Sequence, residues 1–278
     1  MEIWHRVAFN GDTDLDFKKG VDKLSIRYKI SPLPGHEIGL GYFDIAESNS
    51  HWMEVADLIQ KLGVSNVYDT IFTEEEILEA KWSRLMPVFE QGYPQPEATW
   101  ATNPITYEGV CSKCGTYQRQ RESFRIKKEP RLGKNHFMSL FWTDALFTIS
   151  TVLTEFAAHQ LRGYEVWPVL IHKTGQPSQT VSQVYVSDVT KATLIPEADL
   201  PWRVCAECGI TKYQYHKRGY MQFSRDLLES DLNFILTREW FGDRHMAFRE
   251  ILVSNRVAHL IIDNKWRGVR LKPVQPIS

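Results

Sequence analysis

The residues of this chain best suited to chemistry are its cysteines. There are four, and all fall into two matching tetrads, Cys111-Ser112-Lys113-Cys114-Gly115 and Cys205-Ala206-Glu207-Cys208-Gly209. Two thiolates three positions apart can grip one ion from a tight turn. The glycine after the second cysteine takes a positive-φ turn position without steric cost. Two such knuckles supply four thiolates, the ligand set of a tetrahedral structural zinc site, so Cys111, Cys114, Cys205 and Cys208 are assigned as metal ligands, with one zinc ion as the cofactor. A redox C-x-x-C pair sits instead at a helix N-terminus, where the thiol pKa is lowered. Here each pair runs into Gly and a polar, β-leaning stretch, Thr116-Tyr117-Gln118 or Ile210-Thr211-Lys212, which favours metal over redox work. The pairs lie 94 residues apart, and spacing alone leaves open whether they share one ion. A pair acting alone would need two outside ligands, for which His172 and His216 are the nearest spare imidazoles.

Four thiolates close the coordination shell, whereas a catalytic zinc keeps an open position and usually includes His, Asp or Glu. The chain has no H-E-x-x-H, no G-x-x-x-x-G-K-[ST], no G-x-G-x-x-G and no G-x-S-x-G, and Gly39-Leu40-Gly41 is too short a signal to use. The expectation is a non-enzymatic protein with a structural metal.

These knuckles must be held by a fold, and composition bounds it. With 278 residues, 43% hydrophobic and 24% charged, the chain suits a soluble globular protein of one large or two small domains. The net charge of −1 gives no global pull toward nucleic acid or membrane. No apolar run approaches bilayer length, and the first residues lack the layout of a signal peptide. Four cysteines without such a signal point to a reducing, cytoplasmic location. The charge is uneven, with twelve acidic against three basic residues over 37–100 and seven basic against two acidic over 116–136. Arg119, Arg121, Lys127 and Lys128 after the first knuckle, and Lys217 and Arg218 after the second, are therefore candidate partner-binding residues. Interleaved with aromatics, they would suit nucleic-acid phosphates and bases, an acidic protein, or the acidic stretch of this same chain. The plainer reading is solvated charge over aromatics packed on the knuckles.

Residues 1–42 read as strands and turns, with strands at 2–9 and 24–30 and a loop at Ser31-Pro32-Leu33-Pro34-Gly35. A helix over 49–61 closes at Gly63, and a strand spans 67–72. Thr73 with Glu76 forms a capping box for a helix running through Ile77, Ala80, Trp82 and Leu85. The proline-rich stretch 86–105 is the candidate boundary between an acidic α+β region (1–100) and a double-C-x-x-C-G region (101–278), unless the two form one continuous domain. Strands are expected near 124–128 and 137–142. Two units then share a pattern: a helix started at Ser150 or Ser254, Gly163 or Gly268 at its end, and a strand closing on Pro-Val. Ser to Gly spans thirteen and fourteen residues, and Gly to Pro spans five in both. The fold class expected is α+β, with mixed and antiparallel sheets, flanking helices and two pseudo-repeated helix–strand units joined by the knuckle pair.

In its two C-x-x-C-G units, its size and its Val253–Val274 ending, the chain resembles the bacterial double-CXXCG motif proteins, a paralogous family first recognised in myxobacteria. That ending also looks like the C-terminal unit of immunity proteins that protect bacteria from polymorphic or contact-delivered toxins. The resemblance covers roughly 110–277 and implies a cognate toxin as partner. It brings no catalytic residues, and only the four cysteines carry over, as ligands.

Overall fold

The computed structural model describes residues 1–32, 39–100, 103–143, 145–197 and 200–277. The fold is α+β, and the chain forms two compact units. One is Met1–Thr73 with Lys217–Gly219; the other is Glu74–His216 with Tyr220–Ser278, so the proline-rich 86–105 stretch runs within the second unit. Among the described residues no helix is long and apolar enough to cross a membrane.

The first unit contains β1 (Glu2–Asn10), α1 (Leu15–Lys23), β2 (Lys29–Pro32), β3 (Gly39–Ala46), α2 (Trp52–Leu62) and β4 (Ser65–Ile71). Its antiparallel sheet has the order β2-β3-β1-β4, the split βαβ arrangement. Period-two alternation puts Val7, Phe9, Phe43 and Ile45 on one face, where they pack with Phe17, Val21 and Val55 of the helices. Strand β1, helix α2 and strand β4 lie where the sequence places them. Helix α1 corrects the reading of 1–42 as strands and turns. Its signal is weak because Gly20 in its interior costs about 1 kcal/mol relative to Ala. Of the expected 31–35 loop, Ser31 and Pro32 end β2, and residues 33–35 lie outside the described residues.

Residues 217–219 join this unit at β4. The Thr70 amide and hydroxyl both donate to the Lys217 carbonyl, at 3.0 and 2.8 Å, and the Gly219 amide donates to the Thr70 hydroxyl at 2.8 Å. Arg218 grips Glu47 with two 2.8 Å bonds. Burial pushes the Glu47 pKa up, but hydrogen bonds to Arg218 and His5 outweigh it and hold the carboxyl below its ordinary value. A carboxylate with a depressed folded pKa adds stability above its unfolded pKa and loses it as pH falls through the folded value. Glu47→Gln should therefore destabilise the protein at neutral pH, and the difference from the parent should shrink in acid below the ordinary carboxylate range. Urea melts across pH check this; a pH-independent difference would contradict it.

The second unit contains α3 (Glu74–Glu79), β5 (Trp82–Pro87), β6 (Tyr107–Glu108), β7 (Arg119–Gln120), β8 (Arg125–Ile126), β9 (Phe137–Met138), β10 (Leu146–Thr148), α4 (Ser150–Ala158), β11 (Glu165–Ile171), β12 (Pro177–Tyr185), β13 (Leu194–Ile195), β14 (Trp202–Val204), β15 (Thr211–Tyr213), β16 (Met221–Ser224), β17 (Phe234–Leu236), β18 (Trp240–Phe241), β19 (Ile251–Ser254), α5 (Asn255–Asp263) and β20 (Val269–Ile277). The expected helix through Trp82 and Leu85 stops at Glu79, and those residues belong to β5. Trp82, Ser83, Arg84 and Leu85 are all buried, because β5 lies inside its sheet and is covered on both faces. A strand buried on both faces carries no alternation to betray it.

Two sheets share one strand pattern. The first runs β8-β11-β12-β10-β9, and the second runs β16-β20-β5-β19-β17 with β13 added beyond β16. In each, the first pair is parallel and the rest are antiparallel. Helix α4 links β10 to β11 as α5 links β19 to β20, while the strand between each pair is β12 in one sheet and the distant β5 in the other. Val152 and Phe156 of α4 meet Val257 and Ile261 of α5 in one core.

The corners after these helices grip the opposite sheet. The Arg162 carbonyl, after α4, accepts the amides of Asn233 and Phe234 at the edge of the second sheet. The Arg267 carbonyl, after α5, accepts those of His136 and Phe137 at the edge of the first. Gly163 and Gly268 follow at φ 92° and 98°, and a Cβ on either would overlap the carbonyl of Phe234 or Phe137. Gly268→Ala should cost at least about 2 kcal/mol from the positive φ and the clash together. A chemical melt checks it, and a loss within experimental error would mean the corner can relax.

Candidate metal centre

Each knuckle sits at the tip of a short hairpin. The first lies between β6 and β7, which pair antiparallel with Glu108 opposite Arg119; the second lies between β14 and β15, with Val204 opposite Thr211. The turns are the same. The Cys111 amide donates to the Thr116 carbonyl at 2.8 Å and the Gly115 amide to the Cys111 carbonyl at 2.9 Å. The Cys205 amide donates to the Ile210 carbonyl at 3.0 Å and the Gly209 amide to the Cys205 carbonyl at 2.9 Å. Gly115 and Gly209 have φ of 78° and 72°, the positive-φ position expected from the C-x-x-C-G pattern.

The hairpins bring the pairs together. Cys111 Sγ lies 3.8 Å from Cys205 Sγ, and Cys114 Sγ lies 3.6 Å from Cys208 Sγ. All four ligand atoms lie within 4.8 Å of one another. Metal–sulfur bonds of about 2.3 Å in a tetrahedron give sulfur–sulfur edges of about 3.8 Å, so the set fits a single ion. Neither His172 nor His216 belongs to it. The His216 ring faces Glu197 at 3.4 Å, and its carbonyl accepts a bond from Arg84.

The sulfurs sit in unlike surroundings. Cys111 and Cys114 are buried, Cys205 is half-buried and Cys208 is exposed. Burial pushes the Cys114 thiol up to about 11, while the backbone amides of Cys208 and Glu207 draw Cys205 down to about 6. The Thr116 hydroxyl lies 3.2 Å from Cys114 Sγ and 3.6 Å from Cys208 Sγ, and its one proton goes to one of the two once that sulfur is ionised. A bound cation favours the thiolate at every position, since ligation requires it.

Spacing did not reveal the role of Lys212. It lies on β15, just after the second knuckle, with its side chain 2% exposed. Its ammonium donates to the carbonyls of Cys114 (2.7 Å), Arg244 (2.6 Å) and Met246 (2.8 Å). One amine thus ties the second hairpin to the first knuckle and to the 244–246 loop. That loop lies against the first knuckle, where a Cβ on Gly115 would overlap the His245 carbonyl. Burial lowers the Lys212 pKa, with Arg203 acting in the same direction, while Cys114, Asp243 and Cys205 raise it. The available signal was the Thr211-Lys212-Tyr213 strand, whose alternation points Lys212 opposite to its neighbours.

The candidate partner-binding residues divide between the two units, with Arg119, Arg121, Lys127 and Lys128 in the second. Arg119 pairs with Glu108 at 2.5 Å, and Arg121 donates to the Pro104 and Ile105 carbonyls at 2.8 and 3.3 Å. Lys127 lies 3.9 Å from Glu97, and Lys128 is exposed. Lys217 and Arg218 belong to the first unit, with Arg218 on Glu47. The aromatics after the knuckles have ring partners. Tyr117 stacks on Tyr107 at 3.9 Å, Phe124 is fully buried, and Tyr215 packs on Phe248 at 5.3 Å. No protein-family model matches this chain, and no curated protein matches it.

Proposed function

We propose that this is a non-enzymatic binding protein, an immunity protein that neutralises a bacterial toxin in the cytoplasm, with its shape held by one structural zinc on Cys111, Cys114, Cys205 and Cys208. The observation that carries this reading is the closed sulfur shell: four cysteines at tetrahedral spacing leave a metal no open position for substrate. The resemblance to double-CXXCG proteins supplies the toxin as the partner. A protein partner is preferred to nucleic acid because Arg119, Arg121 and Arg218 are engaged within the chain and the neighbouring rings are packed. Immunity proteins act by covering a toxin surface, for which uneven charge aids steering and specificity.

Co-expression with the toxin encoded beside its gene tests the reading. Protection of the host, together with a complex that survives gel filtration, is the expected result. Neither protection nor a complex would remove it. Salt-dependent binding to RNA or DNA, lost when Arg119, Arg121 and Lys217 are changed together, would favour the nucleic-acid alternative.

A further inference from the structure

Between the two matching sheets the second unit holds a cavity of about 160 Å³. Leu146 and Val184 of the first sheet and Leu236 and Ile251 of the second contribute its apolar wall. A concave pocket at such a junction is where small ligands ordinarily bind.

Its polar groups are buried at the floor of the cleft. Gln120 and Gln183, 7% and 3% exposed, exchange amide bonds of 2.8 Å in both directions. An NH2 group has two donors, and the second of Gln120 goes to the Glu122 carbonyl at 3.0 Å. The second N–H of Gln183 has no acceptor among the described residues. The matching place in the other sheet is filled differently. Gln183 faces Phe147, three residues before α4, and Arg84 faces Leu252, three residues before α5. Arg84 is bonded to Glu250 and to the His216 carbonyl, forming an ion pair within the core. The first sheet carries a neutral amide pair there, and open space beside it.

The rest of the lining is aromatic and cationic. Tyr117, Tyr185 and Trp240 supply rings, and Arg249 lies over Trp240 with its guanidinium carbon 4.9 Å from the ring centre. Arg119 stands among the exposed lining residues, paired with Glu108 at 2.5 Å, so an incoming anion would have to draw it from that carboxylate. Guanidinium groups select anions, aromatic walls select flat apolar bodies, and a buried amide selects a ring edge with hydrogen-bonding atoms. The volume is below the roughly 300–1,000 Å³ of a drug-sized pocket, so one ring with its charged substituent fits the space.

We propose that this cavity binds a small planar anion, a single hydrogen-bonding ring carrying a carboxylate or phosphate, with Gln183 meeting the ring edge, Arg249 meeting the charge, and Arg119 turning to it from Glu108. The proposal is independent of the toxin reading and of the metal.

Isothermal titration of the zinc-loaded full chain with orotate, nicotinate and 4-hydroxybenzoate tests it, with acetate and uracil as half-ligands. Saturable one-to-one binding of at least one ring-bearing anion, about tenfold or more tighter than either half-ligand, is expected. Gln183→Leu and Arg249→Met should each weaken that binding about tenfold or more. Arg119→Met, at an exposed position, should weaken it with no change in melting temperature, which keeps the test valid if a buried variant fails to fold. Absence of binding by all three anions at millimolar concentration overturns the proposal. So does equal binding of uracil, or binding that survives in Arg119→Met and in every folded buried variant.

Discussion

Replacing Cys205 with serine should release the metal and lower the stability of the protein by several kcal/mol. Zinc bound by four-ligand peptides contributes about 10–16 kcal/mol of apparent binding free energy near neutral pH, and a site that forms only on folding turns that energy into folding energy. The loss seen should be smaller than this range, because Lys212 and the hairpin hydrogen bonds hold the knuckles together without metal. Elemental analysis should find one zinc per parent chain and well under one in Cys205→Ser, and a urea melt should shift to lower denaturant. Cys111→Ser, changed on the opposite knuckle, should behave alike if the ion is shared. A metal-free variant as stable as the parent would defeat the assignment. Because ligation releases protons from thiols, metal affinity should also fall as pH falls.

The second large effect belongs to Lys212→Met. Methionine fills much of the stem but leaves the Cys114, Arg244 and Met246 carbonyls without their donor in a buried site. Each unsatisfied buried acceptor costs about 1–3 kcal/mol, so a loss of about 3 kcal/mol or more is expected. Four thiolates on a divalent ion carry a formal charge of −2, and removing the adjacent cation should weaken the metal as well. Chelator competition reads the second effect, and melts of the metal-free proteins read the first. Lys212→Arg should not rescue either, since a planar fork does not match three carbonyls gathered around one tetrahedral ammonium. A Lys212→Met protein with parental stability and metal retention would show that the amine is a bystander.

What the sequence revealed of this site, and what it hid, follows from the range of the interactions. The knuckle turns are local: two cysteines, one glycine and a bond closing within six residues, so C-x-x-C-G reads directly as geometry. Lys212 is the opposite case. Its three acceptors lie 98, 32 and 34 positions away, and a lysine in a short polar strand is ordinarily solvated. The same contrast runs through the fold. Helix α2 has an apolar stripe and a glycine end, and both appear in the sequence. Strand β5 looked helical because Ile77, Ala80 and Leu85 fall near one face at a 3.6-residue period, and only its place between β19 and β20 makes it a strand. Of the partners taken by the basic residues after the knuckles, Glu108 of Arg119 lies 11 positions away and within reach of a local reading, whereas Glu47 of Arg218 lies 171 positions away and outside it.

The position of β5 has a consequence for synthesis. Its Arg84 pairs with Leu252, 168 positions later, and its Leu85 with Leu271. At about 5–20 residues per second, a ribosome needs on the order of ten to thirty seconds to make the chain between them. For that time Trp82 and Leu85 have neither flanking strand, and the sheet edge they will fill does not exist. The nascent chain therefore carries an unpaired, apolar strand until residues 251–277 emerge. Completion of the second sheet has to be a late event, common to the whole unit.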